Sequence, residues 1–233
     1  MTVVVAVVCK DGVVIGADTQ VTDSDRGMSY PGQKLHPMGT HAAWAGSGAR
    51  SVLGELEQVF AAEAEAICAS PGIARALQER TLPVLEHHYD HYIADVPGES
   101  MEGGPSAYVP AAGWAGDGPW LVEVTPNGLA THYENVGFHA IGSGAPMAQQ
   151  AGALLSHVDM DQRSVKHGVV GIVRVLDALR TTNPSVGLEI DVAWITADGA
   201  HHLDEEQIAA AREDVQRWRE GEAKALDDLF PGD

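Results

Sequence analysis

Cations are scarce in this sequence. Lysine and arginine number 14 against 33 aspartates and glutamates, leaving a net charge of −19 at pH 7. Nucleic acid and anionic membrane both need a basic footprint, so no nucleic acid and no membrane is expected as a partner. Cysteine is scarcer still. Cys9 and Cys68 stand far apart with no CxxC spacing, which argues for buried thiols in a reducing compartment over a disulfide framework. No apolar run approaches the roughly 20 residues of a membrane-spanning helix. No basic stretch precedes an apolar segment at the N-terminus, so no signal peptide is visible and a cytoplasmic location is expected. There is no internal repeat, no low-complexity tract and no sign of a second domain, and residues 1–233 are expected to form one domain.

What is present is an ordinary globular balance, 45% hydrophobic and 20% charged, long enough to bury a core without disulfide or metal staples. Thr2–Cys9 is an apolar, β-branched run, Lys10-Asp11-Gly12 a tight turn, and Val13–Ala17 the returning strand with Asp18 at its end. Residues 19–33 are polar and rich in turn formers, and read as a loop. Short strands are expected at Lys34–Leu35 and His41–Ala45, then helices over 49–69 and 72–94 on apolar spacing. Strands follow at 106–113, 119–124, 128–134 and 138–141, with turns at 116–119 and 125–128. Helices are expected over 145–158 and 162–182, a strand over 188–196 and its return over 201–203. Asp204, with Gln207 three residues on, caps a final helix whose acidic residues form a solvated face. Strands, two helices, strands, two helices, strands and a helix suit two packed sheets with helices outside each.

The chemistry gathers at the start of the chain. Thr2 supplies a hydroxyl, Asp18 a carboxylate sixteen residues on, and Lys34 an amine sixteen residues further. A threonine hydroxyl at a chain terminus is activated by its own α-amine, whose pKa of about 7.7–8.0 suits a base near neutral pH. Methionine ahead of a small residue is readily removed by aminopeptidases, so Thr2 is expected to be exposed by loss of Met1.

These residues carry a family resemblance. Thr2, Asp18 and Lys34 in "TVVVAVVCKDGVVIGADTQVT" and "GQKL", with "AWAGSGA", "AIGSGAPMAQ" and "EIDVAWITADG" further on, resemble β-type proteasome subunits and their bacterial relatives over almost the whole chain. The resemblance implies an α/β fold of the Ntn-hydrolase type, a four-layer α-β-β-α sandwich of two packed antiparallel sheets. It implies a threonine endopeptidase in which Thr2 attacks, Lys34 stabilises its deprotonated form, Asp18 orients Lys34, Gly46 offers a backbone N–H to the oxyanion and Ser143 holds the terminal amine. Substrate contacts are implied at Val21, Thr22, Trp44 and Gly48. Trp44 would either floor the pocket for the side chain before the cut or fill the core. The sequence departs from the family at Asn183, where an aspartate is usual, and at Ser185, one position early for the supporting serine. Asparagine hydrogen-bonds but carries no charge.

The same resemblance implies homo-oligomeric rings, an unfolded-protein or peptide substrate, and admits an ATP-dependent unfoldase as partner. No cofactor or metal is expected. His87 and His91 share a helix face, but neither an HExxH pattern nor a third ligand is near. "AGSGAR" lacks the Gly-Lys-Ser/Thr ending of a phosphate loop. Two other readings stand beside the peptidase: an amidase acting on a small substrate with the same nucleophile, and a non-catalytic ring subunit whose site has decayed at Asn183.

Overall fold

The computed structural model describes residues 2–23, 27–94, 104–116, 118–183, 186–187 and 189–230. Ser185 lies outside them. In chain order the strands are β1 (Val4–Cys9), β2 (Gly12–Asp18), β3 (Gln20–Asp23), β4 (Met28–Pro31), β5 (Leu35–Pro37), β6 (Ala42–Ala45), β7 (Ser47–Gly48), β8 (Ala107–Ala115), β9 (Gly118–Val124), β10 (Ala130–His132), β11 (Phe138–Ile141), β12 (Ile190–Thr196) and β13 (Gly199–His202). The helices are α1 (Arg50–Cys68), α2 (Ile73–Asp90), α3 (Ala145–Ala153), α4 (Val165–Thr182) and α5 (Glu205–Leu229).

One antiparallel sheet runs β11-β1-β2-β12-β13 and a second runs β10-β9-β8-β6-β5. The strands of both are apolar on two faces because both faces are covered. In β1, Val5, Val7 and Cys9 pack with α3, α4 and α5 residues, while Val4 and Ala6 face the other sheet. In β9, Trp120, Val122 and Val124 pack with α1 and α2, while Leu121 turns inward. The layers are therefore helices, sheet, sheet, helices, the expected α-β-β-α sandwich. On α1 the stripe Val52, Leu56, Phe60, Ala64 and Ile67 recurs at helical spacing and is buried.

Two local features differ from the sequence expectation. Residues 20–23 and 28–31 are not a plain loop: β3 and β4 pair antiparallel, Gln20 opposite Pro31 and Asp23 opposite Met28. Val21, Thr22 and Tyr30 are strand formers, and the turn formers sit between the strands, where Gly27 takes a φ of 61°. The helix expected over 145–158 is α-helical only to Ala153 and continues as 3-10 turns through Gln162, with Asp159 in the left-handed region at φ 48°. The start of α4 is capped from a distance: the Asp11 carboxylate, in the β1–β2 turn, accepts the Val165 N–H at 2.8 Å. Asp204 and Gln207 form the expected capping box on α5.

Candidate active site

Strand register builds the site. In the β1–β2 ladder Val4 pairs with Ala17, so Asp18 falls opposite Val3. The Asp18 N–H donates to the Val3 carbonyl at 3.2 Å, and the Val3 N–H donates back to the Asp18 carboxylate at 2.9 Å. The fully buried carboxylate also accepts the N–H groups of Gln20 and Gly187, each at 3.2 Å, and the Lys34 ammonium at 2.7 Å. Four donors around one carboxylate leave no acceptor site idle. The residue next to Thr2 is thereby locked to the same group that holds Lys34.

Thr2 is fixed from the other side by the turn after β11. Its N–H donates to the Ser143 hydroxyl at 3.2 Å, and its carbonyl accepts the Gly144 N–H at 3.3 Å. The Thr2 carbonyl approaches Gly142 so closely that a Cβ there would lie 2.1 Å from it, and Gly142 has a φ of 91°. Only glycine fits that position. With Met1 attached, the Thr2 nitrogen is an amide; removal of Met1 turns it into an amine already in contact with Ser143.

Lys34 is 6% exposed. Burial lowers its pKa below the ordinary lysine value, while the Asp18 carboxylate and the charge of Asp191 oppose that shift. Lys34 and Thr2 face one cavity of about 250 Å³, which Val21, Trp44, Gly46 and Gly48 also line. Trp44 is both core and wall. It is 1% exposed, meets Phe60 edge-on at 5.0 Å between centroids and stacks on His36 at 4.8 Å.

Thr22 lies elsewhere, on β3, with its hydroxyl 3.3 Å from that of Ser29. Asn183 ends α4. Its N–H donates to Leu179 and its carbonyl accepts the Val186 N–H at 3.1 Å. That turn delivers Gly187 to Asp18.

The cavity also has walls that sequence reasoning missed. His36 contributes an imidazole 3.4 Å from the Glu57 carboxylate, and burial lowers its pKa against the pull of Glu57 and Asp191. The signal was spacing, since His36 is two residues from Lys34 and an extended chain turns such residues to one face. Arg50, Leu53 and Glu57 line the same cavity from one face of α1. Arg50 reaches across to donate to the Tyr30 hydroxyl on β4. Among the described residues no group of three or more metal-ligating side chains could hold an ion, and no helix is long and apolar enough to cross a membrane.

The family model described as "Proteasome subunit" matches residues 2–195. The chain is 27% identical over 214 residues to proteasome subunit beta 1 of Thermococcus onnurineus (strain NA1), covering 90% of this chain and 95% of that one. It is 24% identical over 211 residues to proteasome subunit alpha type-3 of Arabidopsis thaliana, covering 82% and 72%. Among solved structures, Anbu (ancestral beta-subunit) from Yersinia bercovieri superposes with a TM-score of 0.71 at 16% identity, over 99% of this chain and 98% of that one.

Proposed function

The chain belongs to the proteasome subunit family, and from that premise we propose that it is a threonine-type peptidase working inside a self-compartmentalising, homo-oligomeric ring. The observation that carries this reading is the Asp18 carboxylate, which binds the Lys34 ammonium at 2.7 Å and the N–H of Val3, beside Thr2, at 2.9 Å.

The steps follow from that geometry once Met1 is removed. The Thr2 hydroxyl attacks the scissile carbonyl carbon while its proton passes to the Thr2 amine, held by Ser143. The ammonium of Lys34, in the same cavity, stabilises the oxygen as it loses that proton. The carbonyl oxygen becomes an oxyanion facing the backbone of Gly46; loss of such a donor typically costs about 10²–10³ in rate. The intermediate collapses, the C–N bond breaks, and the Thr2 ammonium returns its proton to the leaving amine. Water then hydrolyses the ester on Thr2 by the same exchange. Val21, Trp44 and Gly48 bound the acyl side, where a buried tryptophan favours small side chains. Thr22 contributes through the β3–β4 hairpin and not by contact with substrate. Asn183, whose carbonyl accepts the Val186 N–H, supports the segment in which Gly187 donates to Asp18. Substrates are peptides or unfolded proteins of the cytoplasm, fed by an ATP-dependent unfoldase.

The test is intact mass before and after a threonine-reactive epoxyketone, alongside hydrolysis of fluorogenic peptides. The expected result is a chain beginning at Thr2, modified once, with Thr2→Ala folded, unmodified and inactive. Robust hydrolysis by protein retaining Met1 on every chain would overturn the mechanism. The amidase reading draws on the small size of the cavity, about 250 Å³, and predicts turnover of small amides without peptides.

A further inference from the structure

A second cavity, of about 480 Å³, opens at the turn after β11 that holds Thr2. It is lined by Ser47, Gly48, Ser106, Tyr108, Glu123 and Ser143, with Gly142 and the start of α3. Gly48 and the Thr2–Ser143 contact join it to the cavity that holds Lys34. Among its described lining residues Glu123 is the one carboxylate, and no lysine, arginine or histidine offsets it.

Glu123 is built in. It is 5% exposed, on the inward face of β9, and its carboxylate receives the His139 Nε2 at 2.5 Å from the opposite sheet. Tyr133 stacks on the His139 ring at 3.7 Å between centroids. The His139 ring is 8% exposed and its Nδ1 has no partner. The ring Nε2 and the carboxylate meet with one oxygen of Glu123 engaged. His139 occupies one of about four acceptor positions on the carboxylate, and Glu123 lines the cavity.

We propose that this cavity binds the leaving half of the substrate and that Glu123 selects a lysine or arginine as the first residue after the cut. The assignment of sides rests on the peptidase reading above. The Thr2 nitrogen hands its proton to the leaving amine, and Ser143, which holds that nitrogen, lines this cavity; the leaving chain must pass here. A long cationic side chain reaches the buried carboxylate, and the half-exposed Tyr108 ring, 43% exposed at the entrance, offers it a π face on the way.

The experiment compares quenched fluorescent peptides sharing one acyl side, with lysine, arginine, acetyl-lysine, alanine or glutamate directly after the cut. The wild-type protein is expected to favour lysine and arginine by about tenfold in kcat/KM over acetyl-lysine and alanine, with glutamate slowest. In Glu123→Gln the lysine-to-alanine ratio is expected to fall towards one. Equal rates for lysine and acetyl-lysine with the wild-type protein overturn the proposal, whether or not Glu123→Gln folds. Absence of all peptide hydrolysis instead removes the peptidase reading. Fluorescence anisotropy of the lysine and acetyl-lysine peptides on Thr2→Ala then decides the cavity: tighter lysine binding supports it, and equal or absent binding overturns it.

Discussion

Two buried carboxylates in this molecule each meet a basic group sixteen residues further along the chain, Asp18 with Lys34 and Glu123 with His139. They do different work. Asp18 is saturated: three of its four donors are backbone N–H groups of Val3, Gln20 and Gly187, from three separate segments. It is a joint of the fold that also fixes Lys34. Glu123 is held by a side chain, His139, and lines a cavity. A carboxylate bound by backbone cannot be exchanged without breaking the frame. One bound by side chains can be exchanged together with its partner.

The largest difference is expected when each pair is replaced by apolar residues of similar size. Replacing both partners of a buried polar pair by apolar groups of similar shape can be nearly neutral. Glu123→Leu with His139→Leu is accordingly expected to melt within a few degrees of the wild-type protein. Asp18→Leu with Lys34→Met removes the acceptor of three backbone N–H groups, each costing about 1–3 kcal/mol when left buried and unmade. The double variant is expected to lose at least about 3 kcal/mol, which for a chain of this size lowers Tm by roughly 6–12 °C. Thermal unfolding of both settles it. Equal losses would show that the two carboxylates are equivalent.

The two pairs also differed in how far they could be read from the chain. Asp18 follows an apolar run that must pair with Val3–Val8, so the hairpin alone sets it opposite Val3, beside Thr2. Thr2, Lys34 and Ser143 lie in motifs whose order carried the rest. Glu123 and His139 belong to different sheets, and no periodicity reports which residues of two stacked sheets meet. A signal existed nonetheless. In Trp120–Val124 the outer face is Trp120, Val122 and Val124, which puts Glu123 inside with Leu121; a charge there requires a partner. The β3–β4 hairpin was hidden for another reason, because turn formers mask three or four strand-forming residues. Asn183 was legible as a departure from the family. Its place in the turn that delivers Gly187 to Asp18 was not, because only the packed chain brings those two residues together.

A smaller effect tests Lys34 by pH. The folded-state pKa of Lys34 is lowered, mainly by burial, below its unfolded value of 10.5. Between the two values the unfolded chain binds a proton that the folded chain does not, so this group makes stability rise with pH across that window. Below the folded pKa it adds no slope. Cys9 acts oppositely: burial raises its thiol from 9.0 to about 12, so stability falls above pH 9 as the unfolded thiol ionises. Lys34→Met keeps the cysteine and loses the lysine. The stability difference, wild type minus Lys34→Met, is therefore expected to grow as pH rises towards 10.5, read from urea midpoints at successive pH values. A difference independent of pH would mean that Lys34 titrates alike in both states.

The smallest effect isolates one hydroxyl. Tyr133→Phe keeps the ring that stacks on His139 and removes only its O–H, so the packing beside Glu123 is conserved. Tm is expected to stay within about 2–4 °C of the wild-type protein, the shift of roughly 1 kcal/mol in a chain of this size. The preference for lysine over acetyl-lysine after the cut is expected to hold, because the carboxylate that lines the cavity is untouched. Melting and the lysine ratio, measured on the same preparation, check both. A variant that loses the lysine preference while remaining folded would show that Tyr133, and not Glu123, creates the selectivity.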